Sequence, residues 1–304
     1  LIVGNTHVNV TAGSGLSGLP GGVPTTISRN IILNNADLTL RGDTDLTLSG
    51  TITNYAANRT LAFNMHEGVT ASLTGTVNLS NDATSRTLTL TNNTFNDVVQ
   101  VSATIQNGGG STAGALTKGG VGVVRLSGNN THGGLTTVNG GFLRVGNANA
   151  LGGVVTEVQT FAITAGAAGS FTIGFNGATT AAIPTDVGAG FATAAAVKAA
   201  LDALPYTALL GGNITVDAVN VGNVTTYTVT FGGPLAGFDV AALVVTPTTV
   251  TLSTAVTETV KGSGTTTVNS GFTLEIEPGL TLSEPLTLNG VGFNSYGALR
   301  VLDG

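Results

Sequence analysis

"TTVNGGFLRV" fills residues 136–145, and "TTVNSGFTLEI" fills residues 266–276. The phrase returns far down the chain with its order of threonine, glycine and aliphatic positions kept. The sequence between the two copies is of another kind. A chain that breaks off a repeat and resumes it in phase predicts one repetitive body with a module inserted into it.

Shorter phrases recur upstream. "LSGTI" starts at Leu48, "LTGTV" at Leu73, "VSATI" at Val101 and "LSGNN" at Leu126. A recurrence of about 25 residues suits a solenoid coil. The apolar/polar alternation around each phrase suits strands. From Asp37 to Gly50 the chain reads "DLTLRGDTDLTLSG". Leu38, Leu40, Leu46 and Leu48 share one parity; Asp37, Arg41, Asp43 and Asp45 share the other. Residues two apart share a strand face, so one face is apolar and the other charged. Leu61, Phe63, Met65, Val69, Ala71, Leu73, Val77 and Leu79 continue the apolar set. No coil buries such a face alone, so several must stack. At about 25 residues per coil, the repetitive parts predict roughly seven coils, about 30–35 Å from end to end at the usual strand spacing.

Composition agrees. Of 304 residues, 9% are charged, against roughly 25% in an ordinary soluble domain. Glycine (45 residues) is plentiful, and threonine, valine, glycine and asparagine suit pleated surfaces and tight turns. The net charge is −6, with ten scattered Lys and Arg, which argues against a nucleic-acid partner. With no cysteine there is neither a disulfide nor a thiolate metal site. No apolar run reaches the roughly 18 residues of a membrane helix, so no membrane-spanning segment is expected. The sequence opens on Leu1 without a basic-then-apolar leader, so an internal piece of a longer chain or a processed product is expected.

Residues 114–151 read "GALTKGGVGVVRLSGNNTHGGLTTVNGGFLRVGNANAL". This stretch resembles the autotransporter-associated β-strand repeat of bacterial surface proteins. The likeness resumes at residues 265–292 and in "GALR" at 297–300, and it departs at His132, where such repeats more often carry an aromatic residue. The resemblance implies a right-handed parallel β-helix in an exported bacterial protein, at the cell surface or outside the cell. The coil period points to a β-solenoid independently, though not to its hand.

With residues 154–260 removed on paper, "NANALGG" runs straight into "KGSGTTTVNSGFTLEI". The predicted organisation is therefore an N-terminal segment and loop (1–24, with the Gly-rich 12–24 as linker), a first β-helix part (25–153), an inserted small α+β module (154–260) and the β-helix resumed (261–304). In the module, "EVQTFAITA" and "GSFTIGFNG" alternate like a hairpin pair. "TAAAVKAALDALP" reads as its one helix, capped by Thr193, with Val197, Leu201 and Leu204 on one face and Pro205 ending it.

Few residues offer chemistry. Asp43 and Asp45, with Arg41, form the tightest carboxylate cluster on one strand face. Glu275, Glu277 and Glu284 form a second acidic set on two neighbouring strands. Carboxylates grouped so suit Ca²⁺, which makes Asp43, Asp45, Glu275 and Glu277 the metal candidates. A solvated outer face explains both sets with fewer assumptions, and no catalytic or cofactor-binding residue is predicted. "RGD" at 41–43 lies inside a strand pattern, not at a loop tip. His7, His66 and His132 share no ligand spacing and read as turn or surface residues. No nucleophile elbow is present, and "GGVGVV" at 119–124 lacks the lysine and helix of a phosphate loop. Asn129, Asn130, Asn147 and Asn149 read as corner residues, tolerant of left-handed backbone and able to bond to the next coil.

These readings predict a non-catalytic structural unit of an extracellular bacterial filament, stalk or adhesin. Its partners would be copies of itself or adjacent repeats of the same chain, and beyond those a cell surface or glycans. The alternatives are a β-helix polysaccharide lyase or hydrolase, which needs a carboxylate cleft, and a glycan-binding module, which needs aromatic platforms. Only 5% of residues are aromatic, and Tyr55, Tyr206, Tyr227 and Tyr296 are far apart in sequence.

Overall fold

The structure, a computed structural model, describes residues 7–9, 15–17, 24–34, 36–95, 97–164, 169–185, 192–209, 213–248 and 250–303. The protein is mainly β. Contacts divide the chain into two units, Leu1–Gly153 with Gly264–Gly304, and Val154–Ser263.

Among its described residues the first unit holds three sheets in which every pairing is parallel. The first contains His7–Asn9, Asn30–Leu33, Ile52–Asn54, Val77–Asn78 and Ile105–Gln106. The second runs from Gly15–Ser17 through Leu38–Gly42, Arg59–Met65, Thr87–Asn92, Ala115–Gly119, Thr136–Val138 and Thr266–Val268 to Leu286–Leu288. The third runs from Thr25–Ile27 through Leu46–Leu48, Ala71–Leu73, Val98–Val101, Val123–Leu126, Phe142–Val145 and Thr273–Ile276 to Leu299–Val301. The chain visits the three sheets in turn up to Gln106 and then alternates between the second and third, an arrangement consistent with a β-helix.

The repeat phrases are neighbours. Leu48, Leu73, Val101 and Leu126 stand opposite one another in that order in the third sheet. Thr136 stands opposite Thr266 and Val138 opposite Val268, across the interruption. The next pair of strands is offset by one more position, with Phe142 opposite Thr273 and Val145 opposite Ile276. The extra residue is taken up in the turn at Phe272, so the aliphatic positions still meet. Without that slack, every side chain of Thr273–Ile276 would face the wrong way.

Alternation puts the apolar parity inside. One inward column reads Leu38, Leu61, Leu90, Lys118, Val138, Val268, Leu288. A parallel one reads Leu46, Ala71, Val99, Val124, Leu143, Leu274, Leu299. Most of these residues join one continuous core, where each buried Leu or Val contributes roughly 1.5–3 kcal/mol before entropy. Successive strands of the second sheet are not evenly spaced along the chain. The step from Leu88 to Leu116 is longer than those from Leu116 to Thr136 and from Thr266 to Leu286, because the later turns carry no strand of the first sheet.

Four sequence expectations change. Two strands lie within 1–24: His7–Asn9 pairs with Asn30–Leu33, and Gly15–Ser17 pairs with Leu38–Gly42. The rest of 1–23 lies outside the described residues. Among the described residues the second and third sheets have eight strands each, where seven coils were predicted. Thirdly, the run Asp37–Gly50 is not one strand. Its strand stops at Gly42, and residues 43–45 turn the corner into the next sheet.

The fourth change concerns the second unit. Glu157–Thr164 and Gly169–Phe175 do not pair, for they belong to two different four-stranded sheets. Glu157–Thr164 lies between Val224–Phe231 and Thr251–Val260, with Ile214–Val221 beyond, all antiparallel. Gly169–Phe175 pairs with Ala178–Thr179, Ile183–Thr185 and Val244–Pro247, also antiparallel. The helix Ala194–Asp202 is capped by the Thr193 hydroxyl, which accepts from the Ala196 N–H at 3.1 Å. Pro205 does not merely end it: a five-residue second helix, Pro205–Leu209, begins there, as suits proline at a first helical position. Val197, Leu201 and Leu204 share one core with Phe161, Phe171, Phe175, Tyr227 and Phe231. The Phe161 and Tyr227 rings stack at 5.0 Å, and the Tyr227 hydroxyl donates to the Ala192 carbonyl.

Candidate functional site

The acidic and amide residues of the first unit work mainly on backbone. The Thr60 N–H donates to Asp37 Oδ1 at 2.7 Å, Gly68 to Asp97 at 2.9 Å, Thr70 to Asp45 at 2.8 Å and Thr87 to Asn58 at 2.9 Å. Each bond joins one turn to the next in the stack. Asn130 does the same inside, accepting from the Ile105 N–H and donating to the Ala150 carbonyl, and Asn149 donates to Asn129 Oδ1. The corner asparagines act through their side chains; among the described non-glycine residues, positive φ falls instead at Ala56, Asn176, Asn294 and Ser295.

The metal candidates are placed as follows. Asp43 and Asp45 are exposed in the corner between two strands, with Asp45 engaged by Thr70. Arg41 and Gly42 end the strand before it, so "RGD" straddles a strand end and a corner. Glu275 and Glu277 lie against arginines. The outward column of the third sheet reads Gln100, Arg125, Arg144, Glu275, Arg300. Glu277 receives two bonds from Arg125, at 2.5 and 2.7 Å. The buried Glu275 pairs with Arg144 at 2.8 Å and with Arg300 at 3.3 Å. The Arg125 guanidinium holds the Glu277 carboxyl below its ordinary range. Glu284 stands apart from these two, accepting from the Thr266 hydroxyl by the second sheet, and burial pushes it up to about 8.

Two basic groups are buried against expectation: Lys118, which sequence did not mark, and His132, which it placed at a turn or the surface. Lys118, 1% exposed, interrupts the aliphatic column between Leu90 and Val138. Its Nζ donates to the Gly119 and Gly120 carbonyls at 2.8 and 2.7 Å, and burial lowers it to about 7. His132, expected at the surface, is fully buried; Nε2 lies 3.0 Å from the Thr136 hydroxyl, which donates to the Leu151 carbonyl. Burial lowers it to about 4, partly offset by Ile105 backbone. This imidazole fills an interior position of the first unit. His66 is exposed, and the His7 side chain lies outside the described residues.

In the second unit, carboxylate oxygens of Glu157, Asp239 and Glu258 approach within 4.8 Å of one another. Glu157 already accepts from Gln159 and from the Val240 N–H, and Asp239 pairs with Lys261.

The structure also gathers aromatic residues that are scattered in sequence. At the corner between the second and third sheets, Phe293 lies 5.9 Å from Phe95 and 5.0 Å from Phe142, and Phe142 lies 6.2 Å from Tyr296. Arg300 sits over the Tyr296 ring at 5.1 Å. The three phenylalanines had no mark in sequence, since the whole second unit stands between Phe142 and Phe293 along the chain.

Residues 116–145 match the model of the passenger-associated transport repeat family. They cover two successive passages through the second and third sheets, from Leu116 to Val145. The match supports an autotransporter passenger β-repeat in this stretch. No curated protein matches the chain.

Proposed function

We propose that this chain is a non-catalytic structural segment of an autotransporter-like bacterial passenger, carried at the cell surface or outside the cell. In this reading its first unit is a right-handed parallel β-helix, a solenoid interrupted in sequence by the second unit. The carrying observation is the in-register parallel pairing of Thr136–Val138 with Thr266–Val268, one strand of which belongs to the passenger-repeat match.

Further coils are proposed to add end to end on Leu286–Leu288 and Leu299–Val301. Each has one paired edge and, among the described residues, one edge without a strand. An open parallel edge carries N–H and C=O groups ready for another strand. Leu288, Leu299 and Val301 are exposed there, and a new coil would extend the aliphatic columns already built. That coil comes from the continuing chain or from another copy. The polysaccharide lyase reading has less support, because Asp45, Glu275 and Glu277 are already engaged by backbone or by arginine.

Negative-stain microscopy of one copy and of two copies fused in tandem tests the proposal. Rods that lengthen with each added copy are expected. Separate globular particles in the tandem chain would end the stacking reading. Steady release of unsaturated or reducing sugar ends from acidic polysaccharides would end the non-catalytic one.

A further inference from the structure

The aromatic corner is built by a loop that returns across earlier strands. The segment 291–298 leaves the last strand of the second sheet and folds back along the stack. It reaches Phe142 and then Phe95, which belong to earlier turns. It is tightly tied down. The buried Thr273 hydroxyl accepts from the Phe293 N–H at 2.9 Å and donates to the Gly297 carbonyl at 2.8 Å, and the Gly297 N–H donates to Val291. Between its two rings stand Asn294 (φ 47°) and Ser295 (φ 63°), two consecutive L-residues in the left-handed region. Strain of that kind costs on the order of 1–3 kcal/mol per residue and persists where the surroundings enforce it, often at ligand sites.

The strained loop does not hide its rings. Phe95 is 50% exposed and Tyr296 57%, with Phe293 half-buried between them and Phe142 closing the row from beneath. The rim is polar: Asn294, Ser295 and Arg300 are exposed beside the rings. The local charge is unbalanced. Three guanidinium groups, Arg125, Arg144 and Arg300, face two carboxylates, Glu275 and Glu277. Arg125 takes Glu277 and Arg144 takes Glu275 at 2.8 Å, which leaves Arg300 a long 3.3 Å contact and a ring face. A surplus cation beside exposed rings stands out in a chain of net charge −6.

We propose that this corner binds an acidic polysaccharide, with sugar rings laid on Tyr296 and Phe95 and a carboxylate held by Arg300. A pyranose carries an apolar C–H face and a rim of hydroxyls, which suits a short row of rings with amides and hydroxyls beside it. The electron-rich ring faces attract polarised C–H groups as they attract cations. A guanidinium supplies the forked donors that a carboxylate accepts. A second copy of the chain is the less suitable occupant, because the row is narrow and polar-edged, not a broad apolar face. The site lies within the first unit and does not depend on whether coils stack end to end.

Affinity electrophoresis of the full chain through gels containing alginate, a polyuronate, or dextran, a neutral glucan, tests this. Retardation in alginate only is expected, weakening as salt is raised. Tyr296→Ala and Phe95→Ala should each weaken it about tenfold, a loss of about 1.4 kcal/mol. Arg300→Gln should remove the preference for alginate, and Tyr55→Ala, an exposed tyrosine away from the row, should change nothing. All four side chains are exposed, so unaltered melting temperatures verify that the variants fold. Equal mobility in both gels, or retardation unaffected by Tyr296→Ala, would overturn the site. So would a concentration-dependent dimer that Tyr296→Ala dissociates, which would give the rings to a second copy.

Discussion

At the scale of the residue, Lys118 is at odds with its surroundings in the first unit. Lys118 stands in a column of leucine and valine, its basicity lowered by burial. Its native value of about 7 lies below the roughly 10.4 of an unfolded lysine. Between those values the unfolded chain binds a proton that the native chain does not. Unfolding free energy therefore rises with pH across that window and falls as pH drops towards 7. Glu284 acts in the opposite sense at lower pH. Its native value of about 8 exceeds the unfolded value near 4.5, so its stabilising contribution declines as pH rises from 4.5 to 8. The two can be separated by substitution. Urea unfolding of the wild type and of Lys118→Met between pH 8 and 10.5 should show a rise, on the order of a few kcal/mol, in the wild type alone. Parallel curves would mean that the buried amine keeps its ordinary value. Sequence did not mark Lys118, because its parity within "ALTKG" is that of Leu116, and one charge on an apolar face is easily read as a strand end.

At the scale of the element, the turns set how closely one layer of parallel strands lies on the next. Gly128 illustrates this: a Cβ placed there would lie 1.9 Å from the Ala103 carbonyl oxygen, a backbone atom of the neighbouring layer. The glycine is needed for that approach, not for an unusual φ. Gly128→Ala should therefore push two layers apart and lower stability by about 1–3 kcal/mol, as overpacking does elsewhere. Chemical denaturation compares it with Gly153→Ala, where φ is ordinary and a Cβ would meet only the His132 carbonyl oxygen, at 3.9 Å. A Gly128 loss no larger than that control would show that the layers yield. The strands themselves were legible in sequence, because alternation and recurrence both follow from stacking like on like: Leu48, Leu73, Val101 and Leu126 pair as their spacing predicts. The corners were not. Asp43 and Asp45 keep the parity of the strand before them while turning into the next sheet. Glu157–Thr164 and Gly169–Phe175 look like a hairpin but pair elsewhere, since antiparallel partners are chosen by tertiary packing that local pattern does not encode. The aromatic row was equally hidden, being built by a loop that returns across earlier strands.

At the scale of the molecule, the question is whether the first unit needs the second. The two strands of the repeat phrase, Thr136–Val138 and Thr266–Val268, pair directly although the whole second unit lies between them in sequence. The chain also enters and leaves the second unit side by side. Val155 and Ser263 exchange backbone hydrogen bonds in both directions, at 2.8 and 3.1 Å. Closing that gap with a short link removes a long loop and brings together ends that are already adjacent, so the closure entropy of the first unit should fall slightly. Deleting residues 154–263 and joining Gly153 to Gly264 should then leave a cooperatively folded β protein whose melting temperature equals or exceeds that of the first unit in the full chain. Circular dichroism and differential scanning calorimetry on the shortened chain decide the matter. The full chain should show two transitions and the shortened chain only the first of them. A shortened chain that aggregates or melts without cooperativity would mean that the Val154–Ser263 unit is required to hold Thr266–Val268 in register.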